Sequence, residues 1–446
     1  MTSPDSATLK TMLLLIRERR LEEFTVRAAD LEPADLADVF AALDEHERLD
    51  LVRQLPVALS SQALIEMSEE EHPEDTLAAL DSAQAADIVE ELEDDDAADI
   101  LGELTPEQQA RILAEVEDRE DVERLLRYDE ETAGGRMTGH LVVVRDRHTV
   151  GEALATIRDQ AEEVDEFNQA FVADGGGRLV GVLTLRTLVV SPPTTRVIDV
   201  MEDADVTVRP EVDQEEVARL MARYNVPSIA VVDAEGRLLG RVTFDDVTDV
   251  VEAETTEDLL RFGGVSADEE LGASWAEAVR SRLPWLSLNL LTAFLAATVV
   301  MYFQDTISRT IALAAWMPII AGMGGNAGTQ ALAVTVRRLA LGQLPVNKSL
   351  RVIGKEIAVG ATNGFAIGLA VGMVALMTGQ GALLGLVVFL AMVGNNIVAG
   401  FAGAFIPVLL DRAKIDPAIA SSVFVTTLTD IIGFALLLGL AGSLLL

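Results

Sequence analysis

The stretch SSVFVTTLTDIIGFALLLGLAG, residues 421–442, is apolar and carries a single charge near its centre, Asp430. As a helix rising about 1.5 Å per residue, it is long enough to cross a hydrocarbon core of about 30 Å. A carboxylate at that depth is costly, so an acid inside a span is by default a functional residue. The stretch predicts a membrane helix with a polar site. The structural alternative is that Asp430 caps a broken helix or bonds neighbouring threonines.

Charge divides the 446 residues into two parts. Residues 1–280 contain 25 Lys and Arg against 67 Asp and Glu, a net charge of −42, whereas residues 281–446 contain 9 against 5, a net charge of +4. This distribution predicts a large acidic, water-exposed region followed by a membrane domain. The acidity excludes nucleic acid as an expected partner and favours cations. A surface adapted to salt is the alternative for many of these acids.

Five apolar segments predict five membrane helices, at approximately 285–303, 311–333, 356–378, 382–410 and 418–445. Lys and Arg concentrate before the first segment, between the second and third, and between the fourth and fifth. By the positive-inside rule, we expect a multi-pass protein surrounded by the lipid of the plasma (cell inner) membrane, with a cytoplasmic amino terminus and an external carboxyl terminus. Without cysteine, the chain has neither disulfides nor thiolate metal sites.

Two repeats organise the acidic part. Apolar residues recur about every 12 positions, and units this short cannot bury a face alone, so they predict short helices stacked into a superhelix. Farther along, ADGGGRLVGVLTLRTLVV (173–190) returns 59 residues later as VDAEGRLLGRVTFDDVTDVV (232–251), and each copy predicts strand, glycine turn, strand and helix. The 12-residue series is Leu31, Leu43, Leu55, Met67, Leu80, Leu92, Leu104 and Val116.

The longer repeat resembles a tandem pair of cystathionine-β-synthase-type (CBS) regulatory domains. The whole order of elements resembles the MgtE family of magnesium channels, and four motifs in that order carry the resemblance. It implies a homodimer with a pore on the two-fold axis, lined by the second and fifth spans. The motifs are YDEETAGGRMT (128–138), VTFDDVTDVVEAETTEDL (242–259), PIIAGMGGNAGTQ (318–330) and LTDIIGF (428–434).

We therefore expect a multidomain membrane protein with an α-helical superhelix, an α/β CBS pair, a long linking helix and a five-helix transmembrane domain. The expected boundaries are 1–130 for the acidic helical-repeat N domain, 131–196 and 197–250 for the first and second CBS domains, 251–280 for the linking (plug) helix, and 281–446 for the five-span pore domain.

The candidate ion path centres on Asp430. In a two-fold dimer this acid occurs twice across an axis, and two carboxylates suit a hydrated Mg²⁺, which gives up its water reluctantly. Asp416 at the cytoplasmic mouth either concentrates cations or caps a helix. The second span supplies expected pore-lining residues, for which plain helix packing is the alternative: Pro318, Gly324, Gly325, Asn326, Gly328 and Gln330. Asn395 and Asn396 in the fourth span form a similar but less specific motif.

Acids outside the membrane are the candidate regulator. Asp95 and Asp99 share a face of a short helix, and by family analogy they and Glu215 face the CBS domain and plug helix across Mg²⁺ or other divalent ions. The sequence departs from the family at VALSSQAL (57–64) and at Asn225, where acids are expected. Five acids share one arc of about 180° on the linking helix: Asp246, Asp249, Glu254, Glu257 and Asp258.

Thr243 and Asp246 have the spacing with which CBS domains hold the ribose and phosphate of ATP or another adenine nucleotide. The first copy has Thr187 in place of the acid, so at most one such site per chain is expected. Strand-end turn chemistry is the alternative for this pair.

The expected function is a Mg²⁺-selective channel for divalent cation uptake, gated by cytoplasmic Mg²⁺ through the N domain, CBS pair and plug helix. The alternative is a CBS-regulated secondary transporter that uses Asp430 as a proton or ion relay, although five spans do not divide into equal repeats. A chloride channel is disfavoured because the polar residues of the spans are acidic or neutral. An enzyme is not expected, since the four histidines show neither a paired nucleophile nor ligand spacing.

Overall fold

The computed structural model describes residues 6–68, 71–117, 119–160, 167–265, 274–340, 344, 349–379, 381–417 and 421–446. The chain forms two compact units, Met1–Glu252 and Ala253–Leu446. Each is described by itself below.

The first unit begins with short helices separated by tight turns, as the 12-residue series predicts. Recurrent signals start them: proline occupies the first turn of α3, α6 and α9, and the side chains of Asp44, Asp81 and Thr105 accept hydrogen bonds from backbone N–H groups. These helices are α1 Ser6–Arg17, α2 Leu21–Ala28, α3 Pro33–Ala41, α4 Glu45–Val52, α5 Val57–Ile65, α6 Pro73–Ala78, α7 Ser82–Glu90, α8 Asp94–Gly102, α9 Pro106–Leu113 and α10 Glu120–Leu125.

Two copies of one α/β arrangement follow and confirm the 59-residue repeat. In each, the first and second strands are parallel and the second and third are antiparallel. Gly177 and Gly236, 59 residues apart, both have φ near +80° in the turn before the third strand, where a side chain is disfavoured. The first copy contains β1 Val143–Arg145, α11 Val150–Gln160, β2 Gln169–Ala173, β3 Leu179–Thr184 and α12 Leu185–Val190. The second contains β4 Thr207–Val208, α13 Gln214–Tyr224, β5 Ile229–Val232, β6 Leu238–Val242 and α14 Phe244–Gly263.

One hydrophobic core joins the short helices to the second copy. Leu101 of α8 and Val247 and Val250 of α14 belong to the same buried cluster, whereas the first copy has its own cluster around Val144 and Leu183. The charges of Asp95 and Asp96, near the start of α8, interact with the charge of Asp246 in the first turn of α14, so the acids of the two helices meet there.

The linking helix is shorter than the sequence predicts. Helix α14 ends at Gly263, and Gly264 has φ +76°, with its N–H bonded to the carbonyl of Arg261. A left-handed glycine after the last turn stops a helix. The expectation of one continuous helix to residue 280 is therefore wrong. The next helix starts at Trp275 after a capping box of Ser274 and Glu277, and residues 266–273 lie outside the described residues.

The described residues of the second unit include five helices of membrane-spanning length. By length and apolar composition, the described residues contain four candidate spans: Trp275–Tyr302, Ser349–Met377, Ala382–Arg412 and Ser422–Leu444. The remaining predicted span corresponds to a helix of 28 residues, Leu313–Ala340, whose centre contains glycines, Asn326 and Gln330 and is less apolar. The helices are α15 Trp275–Tyr302, short α16 Gln304–Arg309, α17 Leu313–Ala340, α18 Ser349–Met377, α19 Ala382–Arg412 and α20 Ser421–Leu444.

Helix α19 is the centre of the second unit. Buried residues of α17, α18 and α20 form a common cluster with Leu384, Val388 and Met392 of α19. Glycines allow the closest approaches: a Cβ at Gly364 of α18 would lie 2.8 Å from the Cβ of Asn396. The two helices with the predicted pore motifs, α17 and α20, therefore pack on a common support.

Candidate functional site

Helix α17 separates its motif residues onto two faces. One stripe along the helix is exposed and consists of residues four positions apart: Pro318, Gly322, Asn326 and Gln330. This exposed stripe carries the two amide side chains, Asn326 and Gln330, that the sequence predicts to line the pore.

Two of the expected pore-lining residues lie elsewhere. Gly324 and Gly328 are buried, and a Cβ on either would overlap a neighbouring side chain, Asn395 at the first position and Val425 at the second. The structure therefore places both glycines in helix packing and off the exposed stripe. Gly325 is half-buried, and a Cβ there would meet the Cγ2 of Thr426 on α20 at 3.7 Å.

Asp430 lies in the interior of α20, which is unbroken from Ser421 to Leu444, so this acid does not cap a broken helix. The hydroxyls of Thr426, Thr427 and Thr429 donate to carbonyls of their own helix at 2.7–2.9 Å. The half-buried Asp430 carboxylate has no hydrogen bond within the described part of the chain. Both structural alternatives for Asp430 therefore lose support.

An acidic cluster lies where α8 meets α14 in the first unit. Asp95 is only 7% exposed, and its Oδ1 has no hydrogen-bond partner among the described residues. Burial, and then the charges of Asp246, Asp96 and Glu93, raise the pKa of Asp95 well above its usual value. The same two effects, burial first and Asp246 second, raise the pKa of Asp96 to about 7. Burial also raises the pKa of Asp246. Such a cluster favours a bound proton or cation.

Asp99 has a different environment from Asp95. Its Oδ2 accepts a hydrogen bond from Nη1 of Arg136 at 2.6 Å, and Nε of the same arginine donates to Gln214 at 3.2 Å. Asp99 is therefore held by Arg136, which also bonds Gln214 in α13 of the second CBS copy. Glu215, beside Gln214, is exposed in the first turn of α13.

Sequence reasoning missed Asp96 and Glu66. Helical spacing does not single out Asp96, because its position is offset from the Asp95–Asp99 face. Glu66 follows the stretch VALSSQAL, and its pKa is raised by burial and then by Asp249 and Asp245, so it supplies an acid opposite α14 after all. Asn225 has φ +51° at the carboxyl end of α13, a left-handed position that asparagine tolerates, which accounts for an amide at that point.

A second polar group lies in the second unit, at the end of α14. Nη1 of Arg261 is 2.5 Å from Oδ2 of Asp416, and the same guanidinium pairs with Glu257. Burial, followed by the charges of Asp416 and Glu254, raises the pKa of Asp258. Phe262 packs beside this group against a cluster of α17, α19 and α20 that includes Leu332, Ala402 and Val425. Asp416 therefore contacts the linking helix.

Thr243 and Asp246 form a local turn. Oδ2 of Asp246 accepts from the backbone N–H of Thr243 at 3.0 Å and from its hydroxyl at 2.5 Å. This arrangement starts α14, as the turn interpretation expects, and leaves the Thr243 hydroxyl donating to Asp246.

One histidine does lie among possible metal ligands, contrary to the sequence interpretation. His72, Glu74 and Asp75 have ligand atoms within 4.8 Å of one another, and Nδ1 of His72 lies 2.9 Å from Oε1 of Glu74. The group is at the start of the six-residue helix α6 and partly exposed.

Comparison with known proteins assigns these features to a family. The divalent cation transporter family MgtE matches residues 317–440, its intracellular N domain matches 31–131, and CBS domains match 133–191 and 197–253. The magnesium transporter MgtE of Thermus thermophilus is 40% identical over 338 residues, 73% of each chain. The chain belongs to the MgtE family. The MgtE transporter of Bacillus subtilis is 32% identical over 96% of each chain.

Among solved structures, the cytosolic domain of the Mg²⁺ channel MgtE in complex with ATP aligns with a TM-score of 0.51 and 37% identity, over 54% of this chain and 99% of that one. The MgtE relatives that match across most of the chain are magnesium transporters rather than enzymes.

Proposed function

We propose that this MgtE-family chain forms a homodimeric, Mg²⁺-selective channel for divalent cation uptake, gated by cytoplasmic Mg²⁺. The observation that carries the proposal is the unbroken helix around Asp430, whose carboxylate has no hydrogen bond among the described residues. A half-buried carboxylate inside a membrane span without such a partner favours a compensating ion, and two copies across a dimer axis suit a hydrated Mg²⁺. The exposed stripe of α17, with Asn326 and Gln330, supplies neutral oxygens for that water shell.

Gating uses the acids of the water-exposed region. Asp95, Asp96 and Asp246 are held together by the shared core, and their charges oppose one another. A divalent ion removes this repulsion and stabilises the compact arrangement by RT ln(1 + [L]/Kd) at each site. Glu66 and Asp249 form a second place where α14 meets an acid of the short helices. Several weak sites then respond steeply to millimolar Mg²⁺.

The end of α14 transmits the response to the pore. Phe262 packs against Val425 and its neighbours on the pore-bearing helices, and Arg261 holds Asp416 just before α20. When ions hold α14 in its compact arrangement, this end stays docked and the path is closed. When the ions leave, repulsion among Glu254, Glu257, Asp258 and Asp416 loosens it.

The orientation and the nucleotide complete the proposal. The N domain and CBS pair lie in the cytosol, as in the solved MgtE relative, and the carboxyl terminus lies outside the plasma membrane.

ATP or another adenine nucleotide binds at the CBS pair, supported by the ATP complex of that relative. Thr243 and Asp246 are its candidate contacts, and binding there requires the Thr243 hydroxyl to leave Asp246.

Ion flux through the full chain in liposomes tests the proposal, with Mg²⁺ on the cytoplasmic side varied from micromolar to about 10 mM. We expect Mg²⁺ flux to fall as that concentration rises. Flux that is independent of the cytoplasmic Mg²⁺ concentration would contradict gating by Mg²⁺. Flux that requires a proton gradient would favour the secondary transporter with Asp430 as its relay.

A further inference from the structure

Helix α19 contains two adjacent asparagines, Asn395 and Asn396, whose side chains are both fully buried, with 0% exposure. The Oδ1 of each has no hydrogen-bond partner among the described residues. An amide that is buried with an unsatisfied acceptor destabilises its surroundings, and more so in a membrane segment without water. Their presence therefore calls for a role other than stabilising the bundle.

Asn395 lies between the two helices with the pore motifs. Its Nδ2 donates to the carbonyl of Ile320 on α17 at 2.9 Å. The α17 glycine one turn later, Gly324, leaves the space that the amide fills, since a Cβ there would overlap Nδ2. On the other side, a Cβ at Gly433 of α20 would lie 2.8 Å from the same nitrogen. The amide is thus enclosed by α17, α19 and α20.

The contacts of Asn395 are close in sequence to both candidate ion-path positions. Gly433 is three residues from Asp430, and Gly324 is two residues from Asn326. A helix advances about 5.4 Å per turn, so the amide acts within about one turn of each position. Any change in the volume between Gly324 and Gly433 moves α17 and α20 relative to each other at the level of Asp430.

Asn396 provides a comparison within the same helix. Its Nδ2 donates to the carbonyl of Met392 in its own helix at 2.9 Å, and its Cβ faces Gly364 of α18. The two residues have the same side chain, the same burial and the same unpaired oxygen, but Asn396 contacts the helix on the other side of α19.

We propose that Asn395 is a positioning residue for cation selectivity, whose amide fixes the separation of α17 and α20 beside Asp430. The inference rests on the proposed function, because it takes Asp430 as the ion site. Mg²⁺ demands a narrow range of geometry, whereas Ca²⁺ accepts longer and more variable distances. Without the amide, α17 and α20 settle toward α19, their faces at Asp430 separate, and the path admits the larger ion.

The test compares Asn395→Ala with Asn396→Ala in liposomes. We expect Asn395→Ala to raise the ratio of Ca²⁺ to Mg²⁺ flux about tenfold, the scale on which small steric changes alter discrimination. Asn396→Ala loses the same amide and should keep the parent ratio, so general loosening of the bundle does not explain the difference. An unchanged ratio in Asn395→Ala, or equal changes in both variants, would overturn the inference.

A steric rescue keeps the test decisive if Asn395→Ala folds poorly. Gly433→Ala places a methyl group against the Asn395 amide and should lower Mg²⁺ flux, and adding Asn395→Ala should recover part of that flux by making room. Absence of any effect of Gly433→Ala would also overturn the inference. An Asp430→Ala variant measured alongside distinguishes the proposed ion site from the proposed role of Asn395. If Asp430→Ala conducts normally, the proposed ion site is wrong. If Asp430→Ala has no flux and Asn395→Ala keeps the parent Ca²⁺ to Mg²⁺ ratio, only the role of Asn395 is rejected.

Discussion

Arg261 and Asp416 are 155 positions apart in the chain, yet their side chains lie 2.5 Å from each other. The pair connects the last turns of α14 to the segment before α20, and Glu257 shares the same guanidinium. One positive charge therefore holds together acids that otherwise repel, at the place where the proposed regulator reaches the pore.

Replacing Arg261 with Gln should weaken closure. Both side chains are about 30% exposed, so the pair contributes about 1 kcal/mol at most after solvent screening, or about a fivefold change in an equilibrium. We expect the cytoplasmic Mg²⁺ concentration for half-inhibition of flux to rise by up to that factor, because ions must replace the lost charge. Arg219→Gln removes a comparable exposed pair with Glu216 and is the control. An unshifted concentration would contradict a role for the Arg261–Asp416 pair.

Asp430→Ala should abolish Mg²⁺ flux while leaving a folded dimer, which size-exclusion chromatography checks. Asp430→Asn should impair flux severely, since an amide still bonds coordinated water but lacks the charge. Asp305→Asn removes an exposed acid of α16 outside the spans and should conduct normally. If the alanine variant conducts Mg²⁺ like the parent, Asp430 is not the ion site.

The acidic cluster predicts that rising pH destabilises the packing of α8 against α14 and that Mg²⁺ stabilises it. The pKa of Asp96 is raised from 3.8 to about 7. Protonated Asp96 therefore stabilises the packing of α8 against α14 fully below pH 3.8, and this stabilisation is lost as the pH rises through about 7. Without divalent cations, hydrogen-exchange protection of α8 should fall between about pH 4 and pH 7, and Mg²⁺ should restore it.

Asp96→Asn should flatten this pH dependence, whereas Asp87→Asn, an exposed acid on the neighbouring helix α7, should leave it unchanged. Protection that is independent of pH in the parent would show that the cluster does not titrate in this range.

Neutralising the acids along α14 should keep the channel open at high Mg²⁺. The variant replaces each aspartate with Asn and each glutamate with Gln at five positions: Asp246, Asp249, Glu254, Glu257 and Asp258. Amides ligate Mg²⁺ poorly, and the acids that face α14, among them Asp95 and Glu66, still repel any remaining charge. Protease protection of the 246–280 segment should rise with Mg²⁺ in the parent and stay low in the variant.

A control with the same loss of charge replaces five acids of the first helices, Glu22, Glu23, Asp35, Glu45 and Glu47. It should close normally, because a general surface effect is not proposed. If both variants behave alike, net charge rather than the α14 sites governs gating.

Reporters test the orientation. One fused at the carboxyl terminus should lie outside the cell and one inserted at residue 345 should lie in the cytoplasm, because positive charges follow the second and fourth spans. Reporters on the same side would overturn the five-span arrangement.

Most of the architecture was readable from the sequence because its signals are local and periodic. The 12-residue spacing of apolar residues specified short stacked helices, and the 59-residue repeat specified two similar α/β copies down to the turn glycines Gly177 and Gly236. Apolar length marked the spans. The prediction that the linking helix continues to residue 280 failed because Gly264 adopts φ +76° and ends α14, a backbone conformation that the sequence did not reveal.

The composition of the sites depended on packing between distant segments. Helical spacing identified Asp95 and Asp99 together, but the fold buries Asp95 beside Asp246 and pairs Asp99 with Arg136, 37 positions away. Glu66 faces Asp249 for the same reason. Asn395 and Asn396 are indistinguishable in sequence, yet one lies between α17 and α20 and the other against α18. The sequence by itself determined which segments form helices, strands and spans, because those depend on neighbouring residues. Only the tertiary structure decided which charges and amides meet, because that depends on how helices far apart in the chain pack.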